Sequence, residues 1–308
     1  MKTIRIASGL GFYGDAWAPI RAAIEHGDVQ YVCSDHLAEL TLAILQKDRQ
    51  RDPSTGYAKD LIPMLAELWP LAAARGVRFV LNAGGLNPDA CAKAVQAALS
   101  DTCPDLRIGV VSGDDATVTL GNLRKSGQAL ADQHSGREAP PFFLTANAYL
   151  GAFPVAAALG AGADIVITGR VVDSAMVLGA LIHEFKWQAN DLDKLAQGSL
   201  AGHMIECGAQ ATGGLFTDWQ QVPDWANIGY PVIDVHEDGS LDLRKPEGTG
   251  GLIHPGAVAE QILYEVGDPA HYLMPDVCCD WRHVQVECTG PDAVQVRGAR
   301  GLPAPTHY

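Results

Sequence analysis

From residue 3 to about residue 185 the chain repeats one unit, a short apolar run that ends at glycine, asparagine or aspartate and leads into a longer stretch of helical period. The runs are Ile4 to Ala7, Val29 to Cys33, Val77 to Leu81, Ile108 to Val111, Phe142 to Thr145 and Ile165 to Thr168. Their residues are apolar on consecutive positions, as a strand buried on both faces of a parallel sheet requires. Between them, Leu37 to Gln46, Lys59 to Ala74, Asp89 to Leu99 and Phe153 to Leu159 read as helices. In the second of these, Leu61, Met64, Leu65, Leu68, Leu71 and Ala72 fall at three- and four-residue steps and make one apolar face. Asn87-Pro88 reads as an N-cap followed by a proline in the first helical turn.

Alternating strands and helices define an α/β fold with a parallel sheet of repeated β-α units. An open three-layer sandwich and a (β/α)₈ barrel both fit; six strand runs rather than eight favour the open sheet. We divide the chain into an α/β domain over residues 1–225 and a β-rich or mixed segment over 226–308. In that segment Val232 to Val235 and Leu241 to Leu243 flank an Asp-Gly turn and read as a hairpin. Val284 to Cys288 and Val294 to Val296 flank Gly290-Pro291-Asp292 and read as a second. The last residues, Pro305 to Tyr308, carry no closing element, which reads as a chain truncated at its C-terminal end.

With 47% hydrophobic and 19% charged residues the 308-residue chain is not a disordered one. Seven cysteines are too few and too irregularly spaced for a disulfide scaffold. A net charge of −14 disfavours nucleic acid and anionic membranes as partners, since phosphates need a basic footprint. No run of about 18 apolar residues occurs and the first residues lack a signal-peptide core, so a cytoplasmic location is expected.

Ligands of parallel sheets bind at the carboxyl ends of the strands, and the loops there supply the candidates. Gly9, Gly11 and Gly14, with Asp15, match a G-x-G-x-x-G spacing, but no acid is well placed for a ribose, so a dinucleotide is not favoured. Asp35, His36 and Glu39 follow the second run, with Asp35 as a helix N-cap, His36 exposed in the first turn, and Asp35 and Glu39 on one helix face. Asn82, Gly84 and Gly85 follow the third and form a turn suited to an anion. Asp114 and Asp115 follow the fourth; they are candidate ligands of a divalent metal or helix caps. Asn147 lies after the fifth and Arg170 with Asp173 after the sixth, where Arg170 either grips a ligand carboxylate or phosphate or pairs with Asp173. His203, Glu206 and Cys207 stand at i, i+3 and i+4 and form a candidate acid–base or thiolate set, or a buried structural group. Thr249 and Gly250 lie in a further glycine-rich loop that lacks the P-loop order. No G-x-S-x-G elbow is present.

Several longer segments together resemble the acyclic terpene utilisation family, the AtuA-like proteins, along nearly the whole chain. They are Ser8 to Asp15, Asn82 to Pro88, Thr145 to Ala152, Ala163 to Asp173, His203 to Gln210 and Lys245 to Leu252. The resemblance implies a role in bacterial catabolism of acyclic terpenoids such as citronellol and geraniol, which runs through carboxylated, branched acyl-CoA thioesters. It carries no catalytic assignment.

The expectation is an enzyme of lyase or hydratase type acting on such a thioester. Asp35, Asp173, His203 or Glu206 would move the proton, and Arg170 would bind the substrate carboxylate. The loops at Gly11, Gly84 and Gly250 would host the phosphates of CoA, which enters as part of the substrate. A divalent metal at Asp114 and Asp115 and self-association into a homo-oligomer are left open. The rival expectation is a non-catalytic subunit that binds an acyl-CoA for partner enzymes.

Overall fold

In a computed structural model that describes residues 2–132 and 135–305, the repeating units build the parallel half of a nine-stranded sheet. The elements run β1 (Thr3–Ser8), α1 (Ala18–His26), β2 (Tyr31–Ser34), α2 (Glu39–Arg51), α3 (Leu61–Ala74), β3 (Arg78–Leu81) and α4 (Pro88–Leu99). Next come β4 (Ile108–Val111), α5 (Thr117–Lys125), α6 (Phe153–Gly160), β5 (Ile165–Thr168), α7 (Ala175–Phe185) and α8 (Leu192–His203). The chain continues through β6 (Val232–His236), β7 (Leu241–Arg244), α9 (Pro255–Leu263), β8 (Tyr272–Leu273), β9 (Cys278–Asp280), β10 (Gln285–Gly290), β11 (Ala293–Arg297) and β12 (Arg300–Leu302).

The sheet order is β10-β11-β7-β6-β1-β2-β3-β5-β4, and it is open, not a barrel. Strands β1, β2, β3, β5 and β4 pair in parallel; β6, β7, β11 and β10 extend the same sheet in antiparallel pairs. Both hairpins expected from the sequence form, the first with Gly239 at φ 92° in its turn. A small second sheet has the order β12-β9-β8.

Right-handed crossovers explain the layering. From β1 to β2, β3 and β4 the chain advances one way across the sheet, and α1, α3 and α4 pack on one face. From β4 it steps back to β5, and α6, α7 and α8 pack on the other. Each parallel strand alternates between the two cores: Val32, Phe79, Leu81, Ile165 and Ile167 face the first, while Tyr31, Cys33, Val80 and Val166 face the second. A three-layer sandwich results, with the middle layer apolar on both sides.

Asn87 caps α4 as expected, its side chain accepting from the Ala90 N–H at 3.3 Å with Pro88 in the first turn. One expected strand is absent. Phe142 to Thr145 forms no strand, and Phe142 and Leu144 are exposed. The run follows Pro140-Pro141 and stays outside the sheet, leaving the outer edge of β4 without a further strand. Among the described residues no helix is long and apolar enough to cross a membrane.

Candidate functional site

The crossover from α4 lies on one face and that from α7 on the other, so the carboxyl ends of the neighbouring strands β3 and β5 open a crevice. A cavity of about 520 Å3 lies beside it, within the roughly 300–1,000 Å3 usual for small-molecule sites. The loops after β1, β2 and β5 supply Gly11, Asp15, Asp35, Arg170 and Asp173; the turn after α8 supplies Glu206 and Cys207. Tyr264, Glu265, Tyr272 and Met274 close it from beyond α9.

Asp35 is buried and held from three sides. Its Oδ1 accepts from Asn82 Nδ2 at 2.6 Å and from the Leu37 N–H at 3.0 Å, while Asn82 Oδ1 accepts from the His36 N–H at 2.6 Å. It is not the N-cap of α2, which begins at Glu39 after a residue without a side-chain cap, so Asp35 and Glu39 do not share a helix face. His36, expected to be exposed, is fully buried with Nε2 3.2 Å from Ser34 Oγ, because the backbone turns inward at Asn82 before the helix starts. Burial depresses its pKa to about 3, so the ring is neutral.

Asp173 and Asp35 lie beside one another, and both carboxyls line the cavity. Burial raises both pKa values; the Asp35 charge raises Asp173 further, while Asn82, Arg170 and the Leu37 N–H act against the rise at Asp35. Burial and the proximity of two like charges both favour a proton on the pair. Arg170 is buried over this pair. Its Nη1 donates to the Leu37 carbonyl at 2.9 Å, its Nη2 lies 3.0 Å from Asp173 Oδ1, and its guanidinium carbon stands 4.0 Å above the Tyr149 ring. The internal ion pair considered from the sequence is therefore present. Burial works against the Arg170 charge, and the Asp173 and Asp35 carboxylates outweigh it.

His203 Nδ1 is 2.9 Å from Glu206 Oε1, and Nε2 is 2.7 Å from the Gln261 carbonyl oxygen. A carbonyl only accepts, so Nε2 bears a hydrogen and Nδ1 shares one proton with Glu206. Glu206 lines the cavity, whereas His203 stands behind it against Trp281, with ring centroids 5.3 Å apart. His203 thus positions Glu206 rather than meeting a ligand. Burial raises the Glu206 pKa; at His203 the Glu206 carboxylate overcomes burial and raises it as well. Cys207 also lines the cavity, but burial pushes its thiol far up, which removes the thiolate nucleophile from consideration.

The remaining candidates are placed elsewhere or serve the scaffold. Asp15 accepts from Tyr230 Oη at 2.7 Å and from the Gly11 N–H at 3.0 Å. Gly9 packs on Ser34, Gly11 on the Cys207 backbone, Gly84 on Pro88 and the Thr168 carbonyl, Gly85 on Leu45, and Gly250 on Asp224. Of these five glycines only Gly11 lines the cavity, and Gly14 lies outside it. Thr249 Oγ1 donates to the Pro246 carbonyl at 2.6 Å and also stands outside the cavity. Asp114 accepts from Asn147 Nδ2 at 2.8 Å and from the Arg170 N–H at 2.9 Å, so Asn147 and Asp114 brace the β5 loop. Asp115 accepts from the Thr117 N–H at 2.9 Å, at the start of α5. Among the described residues no cluster of three or more histidine, cysteine, aspartate or glutamate side chains has the arrangement of a metal site.

Gln261 was not a candidate from the sequence, yet it grips His203 twice, since its Nε2 also donates to the His203 carbonyl at 2.8 Å. A signal exists: it falls on the buried stripe of α9 beside Ala257, Val258 and Ile262, where a polar residue needs a buried partner.

No curated protein and no solved structure matches the chain. The family model described as acyclic terpene utilisation family protein AtuA matches residues 4–308. With that match over essentially its whole length, the chain belongs to the acyclic terpene utilisation family.

Proposed function

We propose that the chain is an enzyme of acyclic terpene breakdown that moves protons on a branched acyl-CoA thioester, in a reaction of hydratase or lyase type. The observation that carries this reading is the Asp35–Asp173 pair, a carboxyl group kept protonated by burial and facing a cavity into which Glu206 also projects. In hydration of an α,β-unsaturated thioester, Glu206 takes a proton from water as the water oxygen bonds to the β-carbon. The double-bond electron pair moves onto the thioester as an enolate, and the α-carbon then takes the proton of Asp173. Exchange with solvent restores both carboxyls. In the reverse direction the same two groups eliminate water.

Arg170 holds Asp173 in place by charge and fixed geometry. Asn82 does the same for Asp35. The apolar wall, with Phe12, Leu37, Val172 and Met274, suits a branched hydrocarbon chain. The test is turnover of a panel of branched enoyl- and hydroxyacyl-CoA thioesters, followed by the enoyl absorbance. Asp173→Asn and Glu206→Gln should each lower kcat by about 10²–10⁴-fold with the fold retained. A folded chain that converts none of the panel, or variants that keep full activity, sinks the reading.

A further inference from the structure

Arg170 is the one cation among the described residues lining the cavity, and its charge is already engaged. The Asp35 and Asp173 carboxyls lie beside one another, and Arg170 Nη2 stands 3.0 Å from Asp173 Oδ1, so the Arg170 charge is spent on that pair. His203 and Glu206 share one proton between Nδ1 and Oε1, beyond the hydrogen fixed on Nε2, so that pair is neutral as a whole. Cys207 and the lining tyrosines are uncharged at neutral pH. Three further carboxylates, Asp15, Glu39 and Glu265, line the same space; Tyr230 holds the first and Tyr149 the second.

We propose that the cavity excludes anionic groups: it receives the uncharged, branched acyl part of a molecule, thioester carbonyl included, while any anionic part of the same molecule remains outside its mouth. The inference deepens the catalytic reading and rests on it in taking this cavity as the substrate site. An entering carboxylate would have to take Arg170 from Asp173, leaving a buried carboxylate unpaired, and would face Asp15, Glu39 and Glu265 as well. A neutral chain asks for neither, and meets Phe12, Val172, Tyr272 and Met274 instead.

Calorimetric titration of the full chain with 3,7-dimethyloctan-1-ol and the matching carboxylic acid tests this. At pH ~8 the alcohol should bind and the acid at least about tenfold more weakly, since like charges in a confined site repel strongly. The gap between alcohol and acid should narrow at pH ~5, where more of the acid is protonated. An acid that binds as tightly as the alcohol at the higher pH, and loses that affinity in Arg170→Gln, overturns the inference. So does the absence of binding by both. Affinity is read without turnover, so a chain that binds the alcohol but converts no thioester refutes catalysis alone. Turnover by a chain that prefers the acid refutes charge selection alone.

Discussion

The His203 ring is clamped at both nitrogens, with Gln261 accepting from Nε2 at 2.7 Å and Glu206 meeting Nδ1 at 2.9 Å. The clamp fixes the tautomer and leaves a single proton to be shared with a carboxyl that faces the cavity. Both side chains are almost wholly buried, at 2% and 7% exposure, so neither is readily rehydrated if the other is lost.

His203→Ala should therefore destabilise the fold by about 3–5 kcal/mol, because a buried carboxylate is left without its partner. Glu206→Gln should cost much less, since its amide still bonds to Nδ1. Thermal unfolding of the two variants decides this; equal losses contradict the clamp.

The carboxyl pair makes stability depend on pH. Burial holds Asp35 and Asp173 above the ordinary carboxyl value, so the folded chain keeps a proton that the unfolded chain releases above about pH 4. This contribution is whole below that pH and declines as pH rises toward the raised folded value. Relative to Asp173→Asn, the parent chain should lose melting temperature between about pH 5 and pH 8. A difference that grows in the opposite direction contradicts the pairing.

Asn82 donates to Asp35 and accepts from the His36 N–H, so Asn82→Ala strips a buried carboxyl and a buried N–H of their partners. A loss of about 1–3 kcal/mol for each unsatisfied group is the expected scale. The Asn82 hydrogen bond holds the Asp35 pKa down, so its removal should move the basic limb of any pH–rate profile, where the pair gives up its proton, upward. An unmoved limb would mean that Asp35 plays no part in turnover.

Gly84 separates two readings of the glycine loops. A Cβ there would sit 2.7 Å from Pro88 Cβ and 2.8 Å from its Cα. Gly84→Ala should lower stability by about 1–3 kcal/mol through overpacking and leave CoA-thioester affinity unchanged in the folded fraction. Lost affinity with unchanged melting would restore a phosphate-binding role to that loop.

The strands buried on both faces were legible because a doubly covered strand must be apolar at consecutive positions. The Phe142 to Thr145 run met the same local condition and forms no strand, with Phe142 and Leu144 exposed, because apolar residues on consecutive positions do not by themselves bring a segment to the sheet. Asp35, Arg170, Asp173 and Glu206 were within reach of strand-end and helix-spacing reasoning. Tyr272, Met274 and Glu265 were not, because they reach the cavity from beyond α9, outside the repeating units. The glycines were ambiguous for a related reason: a glycine needed for close backbone packing and one needed for a ligand leave the same mark in a sequence.

The antiparallel pairing of β6 with β1 has an effect beyond widening the sheet. It returns the last quarter of the chain to the first strand, so that residues as far apart as Gly11 and Met274 wall one cavity. Such a cavity has no autonomous precursor: Ile233, Val235, Leu241 and Trp281 complete the second core, so the parallel units alone would lack part of that core as well as the tyrosine-bearing wall. Ligand capture therefore reports nativeness across both halves of the sheet at once.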